Sequence, residues 1–145
     1  IVKWPGHIKP GTSNAMVNQI DLLASFASLL NIKLGSDQGI DSRDILPALL
    51  GNSDTGHTYM IEEAGRTLAL RKGPWKYIQG QSRKAGKGKP KSELYNLDVD
   101  IGEQNDVAKQ NPGIVESLRD AMRMLVEAEG GIRSVTLPGT DHESP

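Results

Sequence analysis

The sequence predicts an α/β chain whose second half is α+β, a small antiparallel sheet packed against a C-terminal amphipathic helix. Three observations carry this. Residues 58–61, 66–71, 75–78 and 93–97 read as short strands rich in β-branched, aromatic or alternating apolar residues, and Gly73-Pro74 makes a tight turn between two of them. After Asn111-Pro112, the residues Ile114, Leu118, Ala121, Met122 and Leu125 recur at helical spacing. Upstream, Leu22, Phe26, Leu29 and Leu30 fall at i, i+4, i+7 and i+8, the stripe of another amphipathic helix. A sheet with one apolar face and a helix with one apolar stripe bury each other as two layers.

Taken in order, the chain opens on the apolar run 1–4, a short strand stopped by Pro5-Gly6 and of a kind that joins a larger sheet. Asp21 is the expected N-cap of the first helix, its carboxylate accepting first-turn N–H groups. Residues 41–50 read as a second helix in which Pro47 is tolerated only in the first turn, so Asp44 is the better cap and Gly51 the stop. The polar, turn-rich stretch 52–56 separates two subregions. The last helix starts with Asn111 as cap and Pro112 at its first position, and Gly130-Gly131 ends it. The expected organisation is 1–55 as the end of an α/β domain, 56–130 as the sheet-and-helix subdomain, and 131–145 as a weakly ordered tail.

Composition limits the function. A net charge of −1 gives no global basic field, so wholesale binding to nucleic acid or an anionic membrane is not expected. No apolar run is long enough to span a bilayer. With no cysteine, disulfides, thiolate metal sites and cysteine nucleophiles are excluded. The chain lacks an initiator Met and opens mid-strand, so it reads as a piece of something larger.

Few residues suggest chemistry. His7, His57 and His142 are isolated, each beside a turn, and no serine sits in a nucleophile-elbow pattern. Asn96, Asp98 and Asp100 have the alternating oxygens of a calcium loop, but Ile101 and Val107 stand where that loop needs Gly and a bidentate Glu. The expected structure there is a turn whose side chains accept nearby backbone N–H groups. Residues 83–91 hold five cations and no acid in a Gly- and Pro-broken context, a solvated hairpin loop or a patch for a sulfated or phosphorylated polymer. Trp75 and Tyr77 share one side of a strand and fit the sheet core better than a carbohydrate platform. Glu62 and Glu63, adjacent at a strand end before Gly65-Arg66, are expected to point different ways; a surface role is the commoner fate of Glu, and the other reading has one of them at a pocket rim.

With these residues in view, the chain resembles the C-terminal portion of a type I sulfatase, of the arylsulfatase family in the alkaline phosphatase-like superfamily. Five stretches match in order. Ile1-Val2-Lys3-Trp4-Pro5-Gly6 with Ile8 and Pro10-Gly11 resembles the family's W-P-G strand and turn, and Gln19-Ile20-Asp21-Leu22-Leu23 its x-x-D-L-x-P-T helix start. Gly39-Ile40-Asp41-Ser42 through Gly51 resembles G-x-D-G-x-S-L-x-P-L-L-x-G, and the run 69–78 resembles A-I-R-x-G-x-W-K-L-I. The run 93–105 resembles E-L-Y-D-L-x-x-D-P-x-E-x-x-N. The departures are Ala24-Ser25 for Pro-Thr, Ser42 for Gly and Ile101 for Pro, as in a divergent, bacterial, glycan-directed branch.

The resemblance implies the end of an alkaline phosphatase-like α/β domain followed by the smaller C-terminal subdomain. It implies Ca2+ and formylglycine in the full-length enzyme and neither in this fragment, since no C/S-x-P-S-R motif occurs here and the family's calcium ligands would lie upstream of Ile1. No catalytic or metal residue of the family carries over. Glu62, Glu63 and Arg66 are the candidate substrate-binding residues, on the strand and turn leading into the A-I-R motif. The implied partners are a sulfated small molecule or glycan, reached through the parent enzyme, and the missing N-terminal catalytic domain. Apolar surface left by residues 1–51 also allows a homodimer of the fragment. The family's usual compartments are periplasmic or secreted, while the sequence itself leaves localisation unknown.

Overall fold

Alternation in the middle of the chain produces a sheet in which each strand pairs with the next. In a computed structural model, which describes residues 1–65, 67–80 and 91–128, strands β1 (Tyr59–Ala64), β2 (Thr67–Lys72), β3 (Trp75–Ile78) and β4 (Glu93–Asn96) form an antiparallel meander in that order. Gly65 and Gly73 sit at the strand junctions with φ of 66° and 55°, which a side chain would disfavour. Register places Leu70 opposite Tyr77, and Tyr77 opposite Leu94, so the three share one face. They are the best-buried apolar side chains, at 0%, 1% and 0% exposure.

Helix α3 (Pro112–Glu127) covers that face with Leu118, Ala121, Met122 and Leu125, all buried. Ile114, expected on the same stripe, is half-buried. Each fully buried leucine stabilises this sandwich by roughly 1.5–3 kcal/mol. The Tyr77 hydroxyl meets Ser92 Oγ at 3.1 Å, so the ring is buried without stranding its polar end. Trp75, expected beside it in the core, is half-buried.

The chain divides by contact into two compact units, one containing Ile1–Thr58 and the other Tyr59–Glu127. In the first, α1 (Leu22–Leu29) follows a 3-10 turn at Gln19–Asp21, and α2 (Leu46–Leu49) is a single turn. α1 buries Ala24, Ser25 and Ala27 and leaves Leu23 and Phe26 51% exposed and Leu30 66% exposed. The apolar stripe therefore marks the helix face that lacks a cover, while the covered face is small and polar. Small side chains there let the loop before α2 approach the helix: Ser25 Oγ accepts Ile45 N–H at 3.0 Å, and Ser42 Oγ accepts Ala24 N–H at 2.9 Å.

Three expectations change. Residues 1–4 are not a strand, because no described strand lies beside them to complete a ladder; Trp4 instead stacks on His7 with ring centroids 4.1 Å apart. The second helix shrinks to Leu46–Leu49, although Asp44 Oδ1 does accept Leu46 N–H at its start. Asp21 does not cap α1 with its side chain; it closes a capping box with Asn18 one turn earlier. Arg66, residues 81–90 of the basic loop and the tail from 129 onward lie outside the described residues.

Candidate functional site

Three polar constellations stand out among the described residues, and the sequence anticipates parts of two. The one it misses joins Asp21 to His57. Asp21 is fully buried, and its carboxylate accepts Asn18 N–H at 2.8 Å, Arg43 N–H at 3.1 Å and His57 Nε2–H at 2.6 Å. The His57 side chain is 9% exposed. A carboxylate taken out of water is tolerated only when its lone pairs are filled, and here two backbone amides and a ring N–H fill them. Gly56 makes this approach feasible: a Cβ there would overlap the backbone of Met16, whose carbonyl accepts His57 N–H at 2.7 Å. The Asn18-x-x-Asp21 spacing is a legible capping-box signal, but nothing local to position 57 announces its partner.

The second constellation covers the sheet face opposite α3. Side chains alternate along each strand, so Met60, Arg71, Lys76 and Tyr95 form one row across four strands, with Glu62, Ala69, Ile78 and Glu93 in the next. Lys76, 20% exposed, places Nζ 2.7 Å from Glu103 Oε1 and 3.8 Å from Glu62 Oε2. Glu103 reaches it from a left-handed backbone, φ 54°, a conformation that costs a non-glycine residue about 1–2 kcal/mol. Tyr95 O–H donates to Glu93 Oε2 at 2.8 Å, and that bond, reinforced by burial, pushes the phenol up to about 12. Arg71 lies directly opposite Lys76.

The third is the turn that launches α3. Asn96 Oδ1 accepts Asp98 N–H, and Asp100 accepts Gln104 N–H at 3.0 Å and Asn105 N–H at 2.8 Å. These oxygens are committed to backbone amides, as the side-chain turn reading expects. The amides of Gln104 and Asn105 hold the Asp100 carboxyl below its ordinary range. Desolvation pushes Asp106 up, but Lys91 and the amides of Ala108 and Leu94 outweigh it, so its carboxyl also titrates low. Among the described residues no group of three or more His, Asp or Glu side chains could hold a metal ion. Calcium therefore does not fit this donor set.

Of the candidate substrate residues, Glu62 and Glu63 both lie exposed near the turn end of the first hairpin, on opposite faces of β1. Glu62 leans toward Lys76 and Glu63 pairs in register with Leu68. The structure thus separates the two carboxylates, and Arg66 lies outside the described residues.

Comparison with known proteins follows the same regions. The chain is 38% identical over 134 residues to an N-acetylgalactosamine-6-O-sulfatase of Bacteroides thetaiotaomicron, a match covering 86% of this chain and 26% of that protein. It is 24% identical over 154 residues to human arylsulfatase A, covering 89% of this chain and 30% of that one. A solved structure from glycosaminoglycan metabolism in Bacteroides thetaiotaomicron superposes with a TM-score of 0.74 at 36% identity, covering 83% of this chain and 27% of that chain. No family model matches. The chain thus spans about a quarter to a third of the length of these relatives. Ordered motifs, a four-stranded antiparallel sheet backed by one helix, and these likenesses agree: the chain is homologous to the C-terminal part of the sulfatases of the arylsulfatase family.

Proposed function

We propose that this chain is the C-terminal region of a glycan sulfatase that hydrolyses sulfate esters on carbohydrates, N-acetylgalactosamine 6-sulfate being the first substrate to test. The observation that supports this most directly is the 38% identity to an N-acetylgalactosamine-6-O-sulfatase across 86% of the chain. In this reading the formylglycine and Ca2+ reside in the remaining three quarters of the enzyme, where they supply the nucleophile and neutralise sulfate charge. The residues of this chain do other work. Leu23, Phe26 and Leu30 present a continuous apolar helix face, which fits burial against that catalytic part. Glu62, Glu63 and Arg66 act as specificity residues from the hairpin end, by contact with sugar hydroxyls rather than with the sulfur centre.

The 145-residue chain should release no sulfate from an aryl sulfate or from N-acetylgalactosamine 6-sulfate. Turnover above background by this chain alone would sink the assignment of chemistry to the remainder. A longer protein containing the chain should desulfate the sugar, with Glu63→Gln changing KM more than kcat. Turnover of phosphate esters in preference to sulfate esters would instead make the parent a phosphohydrolase.

A further inference from the structure

The sheet face opposite α3 carries a charge that the fold does not account for. Arg71 and Lys76 are directly paired across β2 and β3, and like charges directly opposite destabilise a sheet. Lys76 is neutralised by Glu103 at 2.7 Å, with Glu62 at 3.8 Å. Arg71 is treated differently. Its Nε is the one buried side-chain nitrogen or oxygen without a hydrogen-bond partner among the described residues, and no ion pair among them includes its guanidinium. A buried, unmet donor costs about 1–3 kcal/mol, more on a charged group, so an Arg kept here solely for packing would be a poor choice.

The acids on this face are already committed. Glu93 accepts from Tyr95 at 2.8 Å, and Glu103 is held on Lys76 by its left-handed backbone. The face therefore offers one planar, permanently charged fork beside a lysine whose charge is cancelled. A guanidinium of that kind selects planar or tetrahedral oxyanions by paired N–H donation rather than by charge alone.

We propose that Arg71 is an oxyanion-binding residue, its guanidinium receiving a sulfate or carboxylate group on the sheet face opposite α3. The oxyanion takes the terminal N–H groups of the guanidinium, which offsets the repulsion from Lys76. Glu103 tunes the site by keeping Lys76 from competing for the same anion.

Nitrogen-resolved NMR of the arginine Nε–H groups of the 145-residue chain tests this, titrating sodium sulfate and sodium acetate against sodium chloride at constant ionic strength. One Nε–H signal, absent from Arg71→Gln, should shift saturably with sulfate, acetate or both, and not with chloride; the responding anion names the ligand group. Arg71→Lys should bind at least roughly threefold more weakly, because a point charge replaces the fork. Glu103→Gln should bind roughly threefold to fivefold more tightly, since Lys76 is released to assist. A response to neither oxyanion, or one equal to that of chloride, overturns the proposal. So does a lower melting temperature for Arg71→Gln, which would show the guanidinium to be an internal anchor; the proposal expects an unchanged or higher one.

Discussion

The two units of this chain are built inside out with respect to each other. In the second, Leu70, Tyr77 and Leu94 are sealed under α3 and the charged side chains lie off that face. In the first, the fully buried side chains are Asp21 and Ser25, while Leu23, Phe26 and Leu30 face outward. One unit is stabilised by apolar area removed from water, the other by backbone amides satisfied at long sequence range. The difference separates what this chain holds by itself from what it presents for burial elsewhere. The second unit resembles a free-standing two-layer domain. The first resembles an end piece, with its connections made and its apolar side open.

The sharpest way to break the contrast is to remove the polar centre of the first unit. Asp21→Ala strands Asn18 N–H, Arg43 N–H and the His57 ring together, and should cost about 3–5 kcal/mol. Hydrogen exchange should then report loss of protection in residues 18–45 with β2 and β3 still protected. Loss in both units at once would show that they do not differ as described. Next in size, Leu70→Ala opens a cavity in the second unit and should cost about 2–5 kcal/mol by denaturant unfolding.

A third test uses two departures from the family pattern. A proline at position 24 would have no N–H, and a glycine at 42 no acceptor; here Ala24 has the donor and Ser42 supplies the acceptor. Ser42→Gly alone should cost about 1–3 kcal/mol, and adding Ala24→Pro should recover most of it, a non-additivity that a double-mutant cycle measures. Simple addition of the two losses would mean that the departures are unrelated.

Smaller effects refine the outer surfaces. The folded state raises the Tyr95 phenol to about 12, so the stability it contributes is intact below the ordinary tyrosine range and fades as pH rises through that value. Glu93→Gln removes the first cause of the shift, and an ultraviolet phenolate titration should then find Tyr95 ionising lower. The smallest effect is the most diagnostic for the first unit. Phe26→Gln should change the stability of this chain by no more than about 0.5 kcal/mol, because the ring is 51% exposed, yet should impair a longer protein in which that face is covered.

The second unit was legible because its physics is local. Period-two alternation, Gly73-Pro74 and the stripe ending at Leu125 each state their own outcome. The first is legible in its helix and in its family resemblance, but not in its packing. Its helical stripe was correctly placed, but its direction depends on what covers it, and that information lies beyond the helix. Asp21 looked like a cap because Asp before an apolar run usually is one; its actual partners at 43 and 57 are distant in sequence and carry no shared pattern. Arg71 belongs to a sequence motif, and only the register that sets it against Lys76, together with its unpartnered Nε, makes its charge conspicuous.

Gly56 has a consequence for how this sequence can drift. The contact between His57 and Asp21 requires the chain at 56 to touch the backbone of Met16, which leaves no room for even a methyl group. A lost side chain can be compensated by a neighbour that grows, but two main chains in contact have nothing to trim. Position 56 therefore tolerates no gradual change: any substitution there must move a whole segment and carry His57 away with it. The most exacting residue in the first unit is the one that contributes no side chain.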